Sequence, residues 1–359
     1  MLSQMDDYPL HQVSDVIRHV GTSDRNFYDR YYFNMHASSD ELFMVFGMGQ
    51  YPTLGTQDAF VVVRQGEDHH VVRASRELGD RMDTSVGPIR IEVLEGLKKI
   101  RFIVEETSEH PIAMDVTWEG AIPAFLEPRQ YIRHHGRVLF DSTRFAQTGC
   151  WTGTLRVGDK QHDVTPDKWK GSRDRSWGIR PVGEFEPPGI HAGRPSMAGM
   201  WNYAPMQFDD FSILYICHEN NDGNRPLEEA VRIWNDPARE VEWLGKPEHN
   251  HSWNAGTRFV DKGRITFPEA PGGALTVDVT PMTHVYVMVG TGYGLEPDWK
   301  HGMYKGELVV ENMSLSMAED KDRMFGLVDN AARFEMDGHV GYGLFEWGFF
   351  GPFEKYGIE

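Results

Sequence analysis

The amino-acid sequence predicts an all-β fold with two tandem antiparallel barrel or sandwich domains and few short helices. Short strand-like runs alternate with turn signals every 8 to 12 residues or so, and a helical period is almost absent. The chain has 359 residues, which is long for one domain. A similar stretch with glycine and Trp-Gly ends each half, at residues 171–178 and 341–348, which indicates two similar domains.

The first half reads as strands joined by turns, after a polar lead-in over residues 1–30. The early runs are rich in aromatic and β-branched residues, and the later ones alternate polar with apolar residues, as half-buried strands do. The predicted strands cover residues 31–36, 41–49, 59–64, 89–93, 99–105 and 114–120.

The second half repeats this character, with one helix predicted around residues 319–328. The strand predicted over 284–289 carries His284, Tyr286 and Met288 on one face and three valines on the other. Either face can be the inner one, so the sequence leaves open whether His284 and Tyr286 line a pocket or lie outside it. The other predicted strands cover residues 211–218, 275–279 and 333–350.

Composition restricts the classes of partner. The net charge of -18 without a basic run argues against nucleic acid and anionic membrane surfaces. No apolar run reaches the ~18 residues of a membrane span, and the N-terminus lacks the pattern of a secretion signal. We expect a cytoplasmic protein, and whether it forms a homodimer stays open. Cys150 and Cys217 are far apart in sequence and are predicted to be free buried thiols.

The predicted domains cover residues 1–185 and 196–359, and a linker rich in proline and glycine covers 181–195. Before this linker, residues 171–181 concentrate ionisable side chains around a tryptophan. In an extended strand Arg173, Arg175 and Trp177 share one face and Asp174 lies on the other. A guanidinium there can stack on the indole or bind a carboxylate.

Standard cofactor and nucleophile motifs are missing from the sequence. It has no phosphate-binding loop, no dinucleotide fingerprint and no nucleophile elbow, so we expect no cofactor. The glycine-rich residues 290–294 are predicted to form a turn. His249 and His251 could both face a metal from one strand, but neighbouring polar residues and Pro247 favour a solvated loop, and no metal site is predicted.

Residues 31–33 with 46–52, the stretch 171–181 and the closing residues 341–347 resemble the AttH-like and carotenoid 1,2-hydratase-like superfamily. The resemblance implies two lipocalin-like (calycin) barrels packed side by side, with a ligand held in a barrel or at their junction. It also implies chemistry of the kinds described in that superfamily, which are hydration of prenyl double bonds and cofactor-free cyclisation of natural products.

Without cofactor, nucleophile or metal motifs, the residues favour acid catalysis on a hydrophobic small molecule of terpenoid, steroid or aromatic type. A carboxyl in an apolar pocket keeps its proton because burial disfavours the charged form. Glu346 and Asp174 are the two candidate catalytic residues. Glu346 lies between Phe345 and Trp347 without a cationic neighbour, so it is the predicted acid, and Asp174 is the better candidate for an orienting or domain-joining residue. The predicted substrate-binding residues are Tyr31, Tyr32, Asn34, Arg173, Arg175, Trp177, Trp201, Tyr203, His284, Tyr286 and Trp347.

Two functions remain open at this point. The first is a cofactor-independent lyase or isomerase, such as a hydratase, dehydratase or cyclase. The second is a non-catalytic carrier of a lipophilic ligand. In a structural alternative, residues 173–175 form an ion-pair network that fastens the barrels, and Trp177 and Trp347 close the barrel ends.

Overall fold

Two antiparallel β-sheets, each curved into a partly closed barrel, make up the fold in a computed structural model. The structure describes residues 2–187, 189–191, 197–254, 259–294 and 296–358. The helical segments of this part of the chain are 3-10 helices at Gln4–Asp7, Gly189–His191, Lys321–Arg323 and Glu354–Tyr356. The predicted all-β, tandem-barrel fold is therefore confirmed.

The first barrel is a sheet of fourteen strands, of which thirteen are consecutive in the chain. Its strands are β1 (Phe27–His36), β2 (Leu42–Tyr51), β3 (Thr56–Gln65), β4 (Asp68–Glu77), β5 (Ser85–Val86), β6 (Ile89–Glu95), β7 (Lys99–Val104), β8 (Ile112–Gly120), β9 (Phe125–Leu126), β10 (Gln130–His134), β11 (Arg137–Val157), β12 (Lys160–Val164), β13 (Lys170–Ile179) and β22 (Leu308–Ser316). Strand β13 lies between β1 and β11.

The second barrel is a sheet of ten strands in which β24 lies between β14 and β23. Its strands are β14 (Gly199–Gln207), β15 (Phe211–Glu219), β16 (Leu227–Trp234), β17 (Glu242–Trp243), β18 (Glu248–His249), β19 (Ser252–Trp253), β20 (Val260–Phe267), β21 (Leu275–Tyr286), β23 (Val328–Met336) and β24 (His339–Phe350).

Each barrel buries an apolar inner face, because side chains alternate across a strand. The first core stacks Phe33 on Phe46, with ring centroids 5.6 Å apart, and sets Trp151 edge-on to Phe33. The second core packs Phe345 against Trp347. A full burial of each such side chain contributes about 2 kcal/mol or more.

The outer faces of the two sheets pack against each other through a third apolar cluster. It joins Tyr32, Val45 and Val62 of the first barrel to Tyr203 and Leu344 of the second. Residues on these strands that face away from the barrel cores therefore meet between the barrels. This inter-barrel layer positions the candidate site.

Strand β22 comes from the second half of the chain but pairs with β4 of the first barrel. The Arg73 guanidinium on β4 donates to Glu311 on β22, at 2.6 Å for Nη2 to Oε2. The second half thus completes the edge of the first sheet. The boundaries 1–185 and 196–359 stay predictions. Residues 188 and 192–195 of the predicted linker, and residue 196 at the start of the predicted second domain, lie outside the described residues.

The helix predicted over residues 319–328 is wrong. Only Lys321–Arg323 forms a single 3-10 turn, and Gly326 adopts a φ of 103°. Val328 already belongs to β23, where it is opposite Trp347. The segment has no apolar stripe of helical period that could hold a helix against the core, so its end joins strand β23 instead of continuing a helix.

Candidate functional site

A cavity of about 610 Å³ lies between the outer faces of the two barrels. Its walls combine aromatic side chains with arginines and two carboxyl groups. The strands that supply most of them are β1, β11 and β13 of the first barrel and β14 and β24 of the second. The principal lining residues are Tyr28, Arg30, Tyr31, Tyr32, Phe140, Ser142, Arg144, Asp174, Ser176, Arg180, Trp201, Tyr203, Leu227, Met288, Tyr293, Leu327, Glu346 and Phe350.

Glu346 is the acid on the wall of the second barrel. It stands on β24 directly opposite Tyr203 of β14, and its side chain is on the outer face while Phe345 and Trp347 enter the core. The Trp201 indole N–H donates to Glu346 Oε1. Glu346 is 8% exposed, so the residual exposure faces the cavity.

Asp329 lies behind Glu346 and is completely buried. Strand β23 places it directly opposite Glu346, so the two carboxyl groups share one face of the sheet. The Tyr32 hydroxyl donates to Asp329 Oδ2 at 2.5 Å. Asp329 Oδ1 has no donor among the described residues unless Glu346 carries a proton. A shared proton satisfies this buried oxygen, whereas two ionised carboxylates would repel each other.

Burial and this neighbour determine the protonation of Glu346. Burial raises the pKa of Glu346 well above its usual range, and the charge of Asp329 raises it further. The Trp201 hydrogen bond and Arg144 oppose the rise without cancelling it. Burial also raises the pKa of Asp329 to about 6. The pair therefore retains a proton near neutral pH.

Asp174 faces the same cavity from the first barrel. On β13 it lies opposite Tyr32 of β1 and Ala146 of β11. Burial raises the pKa of Asp174 to about 7, although Arg144 acts in the opposite direction. A group with this pKa exists in both protonation states near neutral pH, which suits a proton acceptor that must also release the proton.

Arg144 connects the two walls. Its guanidinium pairs with the buried Glu127 of the first barrel and lies 4.8 Å from the ring centre of Tyr203 in the second. It also lies 5.5 Å from the ring centre of Trp201. The arginine thus holds the aromatic wall beside Glu346 in place.

The inner-facing residues of β13 do not reach the cavity. Arg173 donates to Gln147 Oε1 through Nε at 3.0 Å and Nη2 at 2.7 Å, and Arg175 pairs with Asp29. Trp177 packs on Phe145 with ring centroids 6.4 Å apart. The alternative that these arginines fasten the barrels together is wrong, because both partners belong to the first barrel.

Four further predicted binding residues also lie outside the cavity lining. Asn34 is completely buried and exchanges hydrogen bonds with Ser172. Trp347 and Tyr286 pack in the second core. His284 contacts Arg64 and the Phe259 ring, so it neither lines the cavity nor lies free on the surface. Strand β21 ends at Tyr286, which leaves Met288 as the member of this trio that lines the cavity.

The predicted solvated loop at His249 and His251 is wrong, because both rings are buried. His249 bonds to Glu219 at 2.8 Å, and ligand atoms of Cys217, Glu219 and His249 lie within 4.8 Å of one another. The group does not suit a metal. Arg225 already donates to the same Glu219 oxygen at 2.7 Å, and burial raises the pKa of the Cys217 thiol to about 12, which keeps it neutral.

Sequence reasoning identified part of the cavity and missed the rest. Of the predicted residues, Tyr31, Tyr32, Asp174, Trp201, Tyr203 and Glu346 meet at the cavity. Asp329, Arg30 and Arg144 were not among the candidates. A signal for Asp329 exists, since it is the only ionisable residue in the stretch 324–332, which apart from Asn330 is otherwise apolar or glycine.

Comparisons with known proteins bear on the fold rather than on the chemistry of the cavity. A family described as of unknown function, DUF8625, matches residues 2–359. No curated protein matches the chain in sequence. Within the part of the chain that the structure describes, no helix combines the length and apolar character needed to cross a bilayer.

Solved structures with a similar fold include a protein assigned as AttH from Nitrosomonas europaea, with a TM-score of 0.56 and 12% identity over 90% of this chain and 92% of that chain. CghA with Sch210972 has a TM-score of 0.51 and 11% identity over 90% of this chain and 89% of that chain. Kievitone hydratase from Nectria haematococca has a TM-score of 0.48 and 11% identity over 89% of this chain and 88% of that chain. The predicted AttH-like fold is confirmed.

Proposed function

We propose that this chain, which belongs to the family of unknown function DUF8625 and has the AttH-like fold, is a cofactor-independent lyase or isomerase for a hydrophobic small molecule. The reaction is of hydratase, dehydratase or cyclase type, and the substrate is terpenoid, steroid or aromatic. Glu346 acts as the acid and Asp174 as the partner that accepts a proton.

The buried carboxyl pair at an aromatic-walled cavity carries this proposal. Glu346 holds a proton beside Asp329, and its exposed edge faces Trp201 and Tyr203. An acid of raised pKa can protonate a weakly basic carbon or oxygen, and aromatic faces stabilise the positive charge that develops. A cavity of about 610 Å³ is within the usual size range for drug-sized ligands.

In the hydration direction, the Glu346 proton adds to one alkene carbon and leaves a cation on the other. Water attacks this cation and gives its surplus proton to Asp174. A cyclase or isomerase reaction uses the same first step, and a carbon–hydrogen bond then breaks toward Asp174. Asp329 serves as a positioning residue that keeps Glu346 protonated. CghA, whose structure contains Sch210972, supports a small-molecule role for this fold.

A deuterium experiment tests the proposal and does not require the substrate to be identified first. The protein is incubated in heavy water with a panel of prenylated phenols, terpenes and steroids, and mass spectrometry follows deuterium uptake and the gain or loss of water. We expect at least one compound to take up deuterium at a rate that depends on Glu346. Tight binding with every bound compound recovered unlabelled would favour the carrier instead.

A further inference from the structure

The cavity has a second polar region, which we call the guanidinium end and define by Arg30, Arg180 and Tyr293. Arg30 lies on β1 two residues from Tyr32, or about 7 Å along the strand from the level of Asp174. Arg180 follows the last residue of β13. All three residues line the cavity.

Tyr293 holds both guanidinium groups beside one ring. The Arg30 guanidinium carbon lies 4.8 Å from the ring centre, and that of Arg180 lies 5.9 Å from it. Arg180 also lies 5.5 Å from the ring centre of Tyr28. The Tyr293 ring is itself fixed edge-on against His301, with centroids 4.6 Å apart. Two cations are therefore held in place before any ligand binds.

These two charges lack the carboxylate partners that neighbouring arginines have. Arg144 pairs with Glu127 and Arg175 pairs with Asp29. Among the described residues, neither Arg30 nor Arg180 lies within ion-pair distance of a carboxylate. Arg30 is 4% exposed and its Nε has no hydrogen-bond partner in this part of the chain. A buried guanidinium without a counter-charge is costly unless a ligand supplies one.

Arg30 acts electrostatically on Asp174, whose pKa it lowers, and a second carboxylate acts on Arg30 through an intermediate. Arg30 Nη2 lies 2.9 Å from His301 Nε2, and His301 Nδ1 lies 3.4 Å from Asp58 Oδ2. A neutral His301 accepts from Arg30 and donates to Asp58, so Asp58 offsets part of the Arg30 charge. Arg180 has no comparable chain among the described residues. The uncompensated charge is therefore concentrated at Arg180.

We propose that the substrate is an amphipathic monoanion, whose acidic group binds Arg180 and Arg30 while its apolar body extends toward Glu346. The acidic group is a carboxylate, sulfonate or acidic enol, all of which accept hydrogen bonds from a guanidinium. Ser176, which is opposite Arg30 in the β1–β13 register, adds a hydroxyl donor. The inference rests on the proposed function, since it takes the same cavity as the substrate site.

Two fluorescent probes with the same aromatic rings test this charge preference. Anilinonaphthalene sulfonate carries an anion, and N-phenylnaphthylamine carries none. We expect the wild type to bind the sulfonate at least about tenfold more tightly, and Arg180→Gln to weaken it about tenfold. The same variant should change the Kd of the uncharged probe less than about twofold. Equal affinity of the wild type for both probes would overturn the inference.

Three controls separate the alternatives. Arg264→Gln removes an exposed arginine of the second barrel that pairs with Asp278, and it should leave the affinities for both probes unchanged. Octanoate should displace the sulfonate probe, whereas inorganic phosphate at the same concentration should not. Displacement by inorganic phosphate as strong as by octanoate would mean a simple ion site and would contradict an amphipathic substrate.

Glu346→Gln distinguishes the two proposals from each other. It should abolish deuterium uptake and retain the preference for the sulfonate probe. If the wild type prefers the sulfonate probe but converts no compound, only the proposed function is refuted. If it converts a compound but shows no preference for the sulfonate probe, only the anion site is refuted.

Discussion

The strands β13 and β24 close the two barrels in the same way but carry acids with different neighbours. Each strand puts one acid on its outer face, and a tyrosine of the first strand of the same barrel lies directly opposite it: Tyr32 of β1 for Asp174 and Tyr203 of β14 for Glu346. On the other side, Asp174 faces Ala146, whereas Glu346 faces Asp329.

This difference gives the two acids different protonation behaviour. A second carboxyl beside Glu346 adds like-charge repulsion to the effect of burial, and both effects favour the protonated form of Glu346. Asp174 has burial but also the attraction of Arg144, so its pKa is about 7. Similar backbone positions thus give one acid that stays protonated and one that exchanges its proton near neutral pH. Substitutions on the two strands and changes of pH test this difference between the two acids.

The largest effect is expected from Glu346→Gln. The amide keeps the shape and can still accept from Trp201, but it has no acidic proton, so turnover should fall about a thousandfold or more. The measurement is the rate of deuterium uptake by a compound that the wild type converts. Glu335→Gln, an exposed position on the neighbouring strand β23, serves as the control. Unchanged turnover in Glu346→Gln would refute the assignment of the acid.

The second effect compares the two faces of β13. Arg173→Met removes both hydrogen bonds to the buried Gln147, so the free energy of unfolding should fall by about 2 to 3 kcal/mol. Urea denaturation measures this change. Because Arg173 faces the first core, the affinity for N-phenylnaphthylamine should stay within about twofold of the wild type. A selective loss of probe affinity without a loss of stability would show that Arg173 reaches the cavity.

The third effect concerns pH. Asp174 has a folded pKa of about 7, above its unfolded value of about 3.8, so folding holds the proton more tightly. Its contribution is therefore unfavourable at high pH and vanishes below about pH 3.8. Asp174→Asn removes this cost and should stabilise the protein at pH 8. The expected gain in the free energy of unfolding is about 2 kcal/mol, which is less than the full pKa shift implies because Asp174 borders the cavity and solvent screens its charge.

Near pH 4 the same substitution should change stability little, because the carboxyl is protonated in the folded state and already about 40% protonated in the unfolded state. Denaturation at both pH values measures the difference. Equal effects of Asp174→Asn at pH 4 and pH 8 would show that the pKa of Asp174 is not raised.

The smallest effect is expected from Trp201→Phe. The indole N–H stabilises the ionised form of Glu346, so its loss should raise the pKa of Glu346 further. The basic limb of the pH–rate profile should therefore move upward by about one unit or less. A downward shift would indicate that the indole bond favours the neutral acid.

Much of the fold follows from local sequence patterns. The alternation in residues 171–178 separates Asp174 from Arg173, and the pairing of β13 with β1 and β11 confirms it. Glu346 lies between two aromatic residues on a strand. This pattern likewise predicts that its side chain is on the outer face of the barrel while the rings of Phe345 and Trp347 enter the core. Strand β22 could not be foreseen, because a pattern within one segment does not say which sheet it joins.

The site was less accessible to sequence reasoning because its parts come from distant segments. Asp329 was missed because residues 319–328 were interpreted as a helix, which hid the start of β23. Arg144 belongs to β11, whose mixed polar and apolar residues show no clear period over 137–157. His249 and His251 were expected in solvent because flanking polar residues do not reveal tertiary burial.

Infrared difference spectroscopy at pH 7 detects the proton on Glu346 itself, since it compares the wild type with Glu346→Gln at the carboxyl stretch. The raised pKa of Glu346 predicts that the wild type shows a protonated carboxyl band that shifts in heavy water and is absent from the variant. A difference spectrum that contains only a lost carboxylate band would mean that Glu346 is ionised at neutral pH, and this result would contradict its proposed role as the acid.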